Sequence, residues 1–231
     1  MPDRAGLPGR GAGGVTRLEI SEEVAAKKAF AWAIDWPGWC RAGKDAESAR
    51  DALLAYASRY DVVARHAGAR LPAVDAADLE VVESLGGGTG TEFGVPSAIT
   101  PLDARPLDRA EAARFAALVR AAWQVFDAVA ASAPADLRKG PRGGGRDRDK
   151  MIGHMLEADH AYAREIGVRL PPPQLGDAVA IQAERDAMLE VLARPSDGSP
   201  LADRRWPARY AARRIAWHAL DHAWEMEDRS S

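Results

Sequence analysis

The segment PARYAARRIAWHALDHAWEMED, residues 207–228, carries the pattern that decides the fold. Its apolar residues recur at helical spacing, which predicts one long helix. Tyr210, Trp217 and Trp224 stand seven residues apart and form one stripe along that helix. The opposite face carries a second stripe of alanine, isoleucine and histidine. A bundle helix needs only one apolar stripe, so the aromatic stripe predicts contact with the amino-terminal part of the chain or with a second subunit.

Three more amphipathic segments precede this helix. Asp108 followed by Glu111 resembles a capping box with Asp in place of Ser or Thr, and it marks the start of the first segment. Gly167 and a run of three prolines end the second. Four amphipathic helices of similar length joined by loops are typical of a four-helix bundle. The predicted helices run from about Asp108 to Ala131, Asp147 to Ile166, Asp177 to Ala193 and Pro207 to Glu227.

The amino-terminal part combines strand and helix patterns. Val15–Ile20 suggests a short strand. Large and small apolar residues alternate with period two in Lys28–Asp35, which predicts a strand that packs on one face. Asp45 fits the N-cap position of a helix that runs to about His66. Leu79–Leu85 predicts a further strand.

A change of composition separates the two parts. The glycine-rich step at Gly86–Gly90 and the proline-bearing stretch that ends at Pro106 are typical of a domain boundary. The predicted fold class is therefore α+β with two domains, a small sheet-plus-helix domain followed by a four-helix bundle. The predicted parts are a disordered leader at 1–14, the α+β domain at 15–85, a linker at 86–106 and the bundle at 107–229.

Composition excludes several classes of function. The chain has 231 residues, of which 47% are hydrophobic and 28% charged, as in an ordinary globular protein. A net charge of -3 gives no basic field for nucleic acid, and no apolar run approaches the ~18 residues of a membrane span. Cys40 is the only cysteine, which rules out an intramolecular disulfide and a cysteine-rich zinc site. We expect a cytoplasmic protein with no nucleic-acid or membrane partner.

Three of the five histidines point to a metal ion. His218 and His222 are four residues apart, so their imidazoles leave one helix face only about 40° apart around the axis. His154 lies on the apolar stripe of the second bundle helix, whereas His160 faces away from that stripe and His66 belongs to the other domain. Three buried imidazoles cost free energy unless something satisfies them, which favours a divalent ion as the shared partner.

A metal-free interpretation also accounts for these residues. A pair of histidines four apart on an alanine-rich helix arises by chance, and a single histidine on an apolar stripe is often a hydrogen-bonded core residue. If a metal is bound, Glu157 and Glu225 are positioned to hydrogen-bond its histidine ligands. Histidine ligation suits zinc, nickel, iron or manganese. The sequence identifies no catalytic residue.

The bundle resembles the DinB-like (damage-inducible) four-helix-bundle superfamily. The resemblance rests on DKMIGHMLEADHAYAREIG, which starts at Asp149, and on the segment from Pro207 quoted above. It implies that His154, His218 and His222 bind the metal. It also implies a metal-dependent transferase or isomerase whose co-substrate is a low-molecular-weight thiol, because a divalent ion lowers the pKa of a bound thiol.

The amino-terminal domain resembles the HicB-like antitoxin fold. The resemblance rests on FAWAIDWPGWCRAGKDAESARDAL, residues 30–53, and its matching residues are Asp35, Pro37, Gly38, Gly43, Asp45, Glu47 and Ala49. It implies a unit that binds a partner protein. The alternative function is therefore a non-catalytic interaction module with the bundle as its scaffold, and the chain is open to a homodimer or a protein partner as well as to a small-molecule substrate.

Overall fold

The protein is a mixed α+β structure, as the sequence predicts, in a computed structural model that describes residues 17–139 and 145–230. The predicted leader at 1–14 lies outside the described residues. Short 3-10 turns occur at Ala76–Asp78, Pro101–Ala104 and Leu201–Asp203. In chain order the strands and helices are β1 Leu18–Val24, β2 Ala29–Ala33, β3 Cys40–Gly43, α1 Ala46–Ala55, α2 Ala57–His66, β4 Leu79–Gly86, α3 Thr89–Glu92, α4 Arg109–Ser132, α5 Arg148–Glu165, α6 Ala178–Leu192 and α7 Ala208–Ser230.

The strands form one sheet in the order β3-β2-β1-β4. β1 runs antiparallel to β2, with Ile20 opposite Ala33, and parallel to β4, with Leu18 opposite Leu79. The parallel pair is possible because α1 and α2 lie between β3 and β4 in the chain and carry it back across the sheet. The strands predicted at Lys28–Asp35 and Leu79–Leu85 are confirmed. The strand predicted at Val15–Ile20 is observed from Leu18 to Val24, and Val15 lies outside the described residues. The short β3 was not predicted.

Both faces of β2 are buried, so the prediction that this strand packs on one face is wrong. Its alanines belong to the main hydrophobic core, and Leu53 of α1 lies in the same core. Phe30 and Trp32 point the other way into a second cluster with Trp217 of α7. The period-two pattern therefore sorts residues by size, with small side chains toward one layer and aromatic ones toward the other.

The helix predicted from Asp45 to His66 is two helices. Asp45 caps α1 as predicted, because its carboxylate accepts a hydrogen bond of 2.8 Å from the Ser48 backbone N–H. The chain then breaks at Tyr56, whose ψ of 3° leaves the helical range. The break allows Tyr60 of α2 to stack on Trp39 at a ring distance of 5.3 Å and to donate a hydrogen bond to the Pro37 carbonyl.

The four long helices α4 to α7 pack as a bundle, in which α4 and α5 each contact both α6 and α7. One hydrophobic core runs through the sheet, α1 and the bundle, and it includes Ile20, Leu53, Phe115, Met151 and Ile215. The segment 86–106, predicted as a linker, contains α3 and a 3-10 turn. Thr91, Thr100 and Asp103 of this segment are buried.

The aromatic stripe of α7 packs on the amino-terminal part of the chain, as predicted. Trp217 meets Phe30 edge to face at 6.1 Å, and Trp224 meets Tyr56 at 5.1 Å. Tyr210 donates a hydrogen bond from its hydroxyl to the Ser97 carbonyl. No helix within the described ranges is long and apolar enough to cross a membrane.

Gly38 permits the close approach between the β2–β3 turn and α7. Its φ is +92°, and an added Cβ would lie 2.8 Å from Leu220 Cδ1 and 2.9 Å from Ala216 Cβ. We expect Gly38→Ala to lower the free energy of unfolding by about 2 kcal/mol, because backbone strain and overpacking act together. Urea unfolding would measure the loss.

Gly68 offers a matched control for this substitution. Its φ of +71° is also left-handed, but nothing lies within 4 Å of an added Cβ. Gly68→Ala should therefore lower the free energy of unfolding by roughly 1 kcal/mol, because only the backbone strain acts there. Equal losses in the two variants would contradict the steric role of Gly38.

Candidate metal centre

Helices α5 and α7 bring His154, His218 and His222 together. The ring of His154 lies 5.1 Å from each of the other two rings, and those two are 4.7 Å apart. One ring nitrogen from each residue can be chosen so that all three lie within 4.8 Å of one another. Within the described part of the chain, no other group of histidine, cysteine and acidic residues meets that criterion.

The two histidines of α7 face each other through their Nε2 atoms, which are 3.2 Å apart. Two nitrogens bound to one tetrahedral zinc ion at about 2.0–2.1 Å are about 3.3 Å apart, so the separation suits two ligands of a single ion. It also suits one N–H···N hydrogen bond. The two states differ at His218, because its Nε2 carries a lone pair in the first and a proton in the second if His222 is protonated on Nδ1.

Glu225 determines the tautomer of His222. The Nδ1–H of His222 donates to Glu225 Oε2 at 3.1 Å, since an ionised carboxylate can only accept. This hydrogen bond, with a further one from Arg229 to Oε1 at 2.8 Å, holds the pKa of Glu225 below its ordinary value. His222 Nε2 is left with its lone pair facing His218, as ligation requires. Glu225 thus supports a candidate ligand in the manner expected from the sequence.

His218 has no polar partner for its second nitrogen in the described structure. Its side chain is buried, and Nδ1 makes no hydrogen bond. Burial is the main cause that lowers the pKa of His218, to about 2, and the neighbouring His222 adds to it. Burial also lowers the pKa of the half-buried His154. Burial thus favours the neutral form of His154 and His218, which is the form of imidazole that binds metal.

The other predicted residues lie apart from the three rings. Glu157 is exposed and makes no hydrogen bond to a histidine in the described regions, so it acts on His154 only through its charge. His160 points away, as predicted, and pairs with buried Glu184 of α6 at 2.6 Å. His66 is exposed at the end of α2.

Two residues near the site were missed from the sequence. The ring of Tyr162 lies 5.6 Å from His218, and the Arg214 guanidinium lies over the rings of Tyr162 and Trp217 at 5.5 and 4.7 Å. Arg214 precedes His218 by four residues, so the same helical spacing that pairs the histidines could have indicated it. Neither residue is a common metal ligand, and the sequence prediction considered only ligand types.

Cys40 does not serve this site. It is buried in the cluster with Trp217, and burial raises the pKa of its thiol far above the ordinary value. A buried thiol that stays protonated is a poor nucleophile. Any nucleophilic sulfur at the three histidines therefore has to come from a bound molecule.

No protein-family model, curated protein or solved structure matches this chain. The resemblances to the DinB-like and HicB-like families therefore remain predictions from sequence motifs, and the geometry of the three histidines is the main support for a function.

Proposed function

We propose that the protein is a DinB-like metalloprotein that binds one divalent ion through His154, His218 and His222. We further propose that it catalyses a transferase or isomerase reaction with a low-molecular-weight thiol. The observation that carries the proposal is the convergence of three imidazoles, two of which face each other at 3.2 Å. Zinc, nickel, iron and manganese all accept histidine ligands.

The donor set suits a catalytic site better than a structural one. Structural zinc sites use four protein ligands, whereas catalytic sites use three and leave a position for water or substrate. His154 is half-buried while His218 and His222 are buried, so solvent reaches the group from the His154 side. The chemistry supplied at such a position is the deprotonation of a bound thiol near neutral pH.

The residues of the chain have separate tasks in this proposal. His154 joins α5 to the pair on α7, so the packing of these helices fixes the shape of the site. Glu225 and Arg229 hold the His222 ring in its ligating tautomer. A reducing compartment such as the cytoplasm suits a thiol co-substrate, because thiols persist there.

Metal analysis tests the proposal. Protein purified without a polyhistidine tag or chelator should contain close to one zinc, nickel, iron or manganese ion per chain. His218→Ala should lose the ion, because removal of one of three ligands leaves an incomplete site. His66→Ala removes an exposed histidine and should keep it, while circular dichroism shows that both variants are folded.

The same measurement separates the proposal from a non-catalytic interaction module. A wild-type protein that carries no metal and takes up none on dialysis against each ion would overturn the metal site. A metal-loaded protein that conjugates no thiol to an electrophile would overturn the transferase activity. In that case the metal would be part of a scaffold for the amino-terminal unit.

A further inference from the structure

Beside the proposed metal site, Arg214 is an arginine that pairs with no carboxylate of the described residues. It stands one helical turn before His218, so its side chain leaves α7 on the side of the histidines. Its guanidinium lies over the rings of Trp217 and Tyr162, at 4.7 and 5.5 Å, and the Tyr162 ring in turn contacts the His218 ring. The Nη1 atom is buried and has no hydrogen-bond partner within residues 17–139 and 145–230.

The other arginines of α7 all have carboxylate partners. Arg209 pairs with Asp35 and Glu111, Arg213 with Asp103, and Arg229 with Glu225. Arg214 forms no ion pair with any residue that the structure describes, although it is partly buried. A partly buried cation with an unused donor is free to bind an anion, and such charge-assisted hydrogen bonds are among the strong ones.

We propose that Arg214 binds a carboxylate group of the small molecule whose sulfur occupies the metal site. This inference rests on the proposed function, because the metal fixes one end of the ligand. The two aromatic rings hold the guanidinium plane in place, which favours the two parallel N–H···O bonds of an arginine–carboxylate pair. Tyr162, which contacts both Arg214 and His218, also gives the connecting carbon chain an apolar wall.

The charged neighbours of the histidines include both signs. Glu225 contacts His222 and Glu157 acts on His154 through its charge, whereas the exposed Arg146 acts on His154 and His218 with the opposite sign. Arg214 is the partly buried cation beside them that has no ion pair in the described structure, and its single charge matches one negative charge. A carboxylate therefore leaves less uncompensated charge at Arg214 than a dianionic phosphate would.

Cobalt-loaded protein allows a test that does not depend on turnover. Thiolate bound to cobalt gives a near-ultraviolet charge-transfer band, which measures Kd for each thiol. The probes are 4-mercaptobutyrate with 4-mercapto-1-butanol, and 3-mercaptopropionate with 3-mercapto-1-propanol. Each pair shares a chain length and differs in the carboxylate. We expect at least one acid to bind about tenfold more tightly than its alcohol, as for a charge-assisted hydrogen-bonded pair.

Variants of Arg214 decide whether this residue causes the tighter binding of the acid than of its alcohol, here called the carboxylate preference. Arg214→Gln should remove most of it while the cobalt content and the Kd of the alcohols stay unchanged, and Arg214→Lys should restore part of it. Arg120→Gln, an exposed arginine on α4, is the matched control and should behave like the wild type. Thermal melting confirms that each variant is folded.

Two results would overturn the role of Arg214. One is a wild-type protein that binds cobalt and thiols but shows no preference for either acid. The other is a preference that survives in Arg214→Gln, since the carboxylate would then bind elsewhere, for example to the metal. Absence of cobalt binding appears separately as the lack of any cobalt spectrum, and it would overturn the proposed function together with this inference.

Discussion

Replacing Asp103 by alanine is expected to lower the free energy of unfolding by about 3–5 kcal/mol, because it leaves the buried charge of Arg213 without a partner. Asp103 accepts hydrogen bonds of 3.1 and 2.7 Å from Arg213 Nε and Nη2. The two side chains are 6% and 8% exposed, so water cannot replace the lost carboxylate. Arg213 also lies over the rings of Trp32 and Tyr210, which hold it in place.

Urea unfolding of a double-mutant cycle would measure this effect. Arg213→Met in the Asp103→Ala background removes the stranded charge, so it should recover part of the lost stability. The exposed pair of Arg17 and Glu80 is the matched control, and Glu80→Ala should cost roughly 0–1 kcal/mol. An Asp103→Ala variant as stable as Glu80→Ala would show that the buried pair does not hold segment 86–106 to α7.

This ion pair illustrates what the sequence could not predict. Asp103 and Arg213 are 110 positions apart, and Asp103 lies in the segment predicted as a linker from its glycine and proline content. Composition shows where a chain departs from regular structure, but it does not show whether the irregular segment is packed. Glu23 of β1 adds a second buried link to this segment, since it accepts hydrogen bonds from Thr91 and from the Ala98 N–H.

The helices and most of the sheet were predictable because their information is local. Asp108 caps α4 and Asp45 caps α1 where the sequence places them. The four-residue β3 was missed because Cys40–Gly43 is too short to show a period. The break at Tyr56 also has no glycine or proline to mark it, and it is explained by the buried contacts of Tyr60 with Trp39 and Pro37.

The candidate site likewise has one part that follows from local sequence and another part that depends on how the helices pack. The spacing of His218 and His222 and the Glu225 contact follow from the geometry of one helix. The approach of His154 depends on how α5 and α7 pack, which a periodic pattern does not fix. The unpaired state of Arg214 could not be inferred at all, because it depends on where every nearby carboxylate points.

Asp159 of α5 is a second charged group whose burial the sequence did not reveal. Its side chain is 3% exposed, and neither carboxylate oxygen has a hydrogen-bond partner in the described structure. Arg185 of α6 approaches only to 3.7 Å, since its stronger bond of 2.7 Å goes to Asp127 of α4. Glu184 of α6, also buried, adds a like charge nearby. Burial raises the pKa of Asp159 from 3.8 to about 7, although Arg185 opposes the rise.

We therefore expect Asp159 to make the protein less stable as the pH rises from about 4 to about 7. In that window the folded protein keeps the Asp159 proton and the unfolded chain releases it, so folding takes up a proton. The contribution is fully present below pH 4 and is lost above pH 7, and a pKa that rises from 3.8 to about 7 corresponds to a total on the order of 4 kcal/mol. Carboxylates with a lowered pKa, such as Glu225, change stability in the opposite direction, so the wild-type curve alone does not isolate Asp159.

The difference in the free energy of unfolding between the wild type and Asp159→Asn isolates the contribution of Asp159. Asparagine cannot ionise, so the variant should gain stability relative to the wild type between pH 4.5 and 8.5, by up to about 4 kcal/mol in urea unfolding. Asp186→Asn, an exposed change on the same helix as Arg185, should follow the wild-type curve. Parallel curves for Asp159→Asn and the wild type would mean that the buried carboxylate is ionised throughout this range. In that case Arg185, rather than a bound proton, would neutralise it.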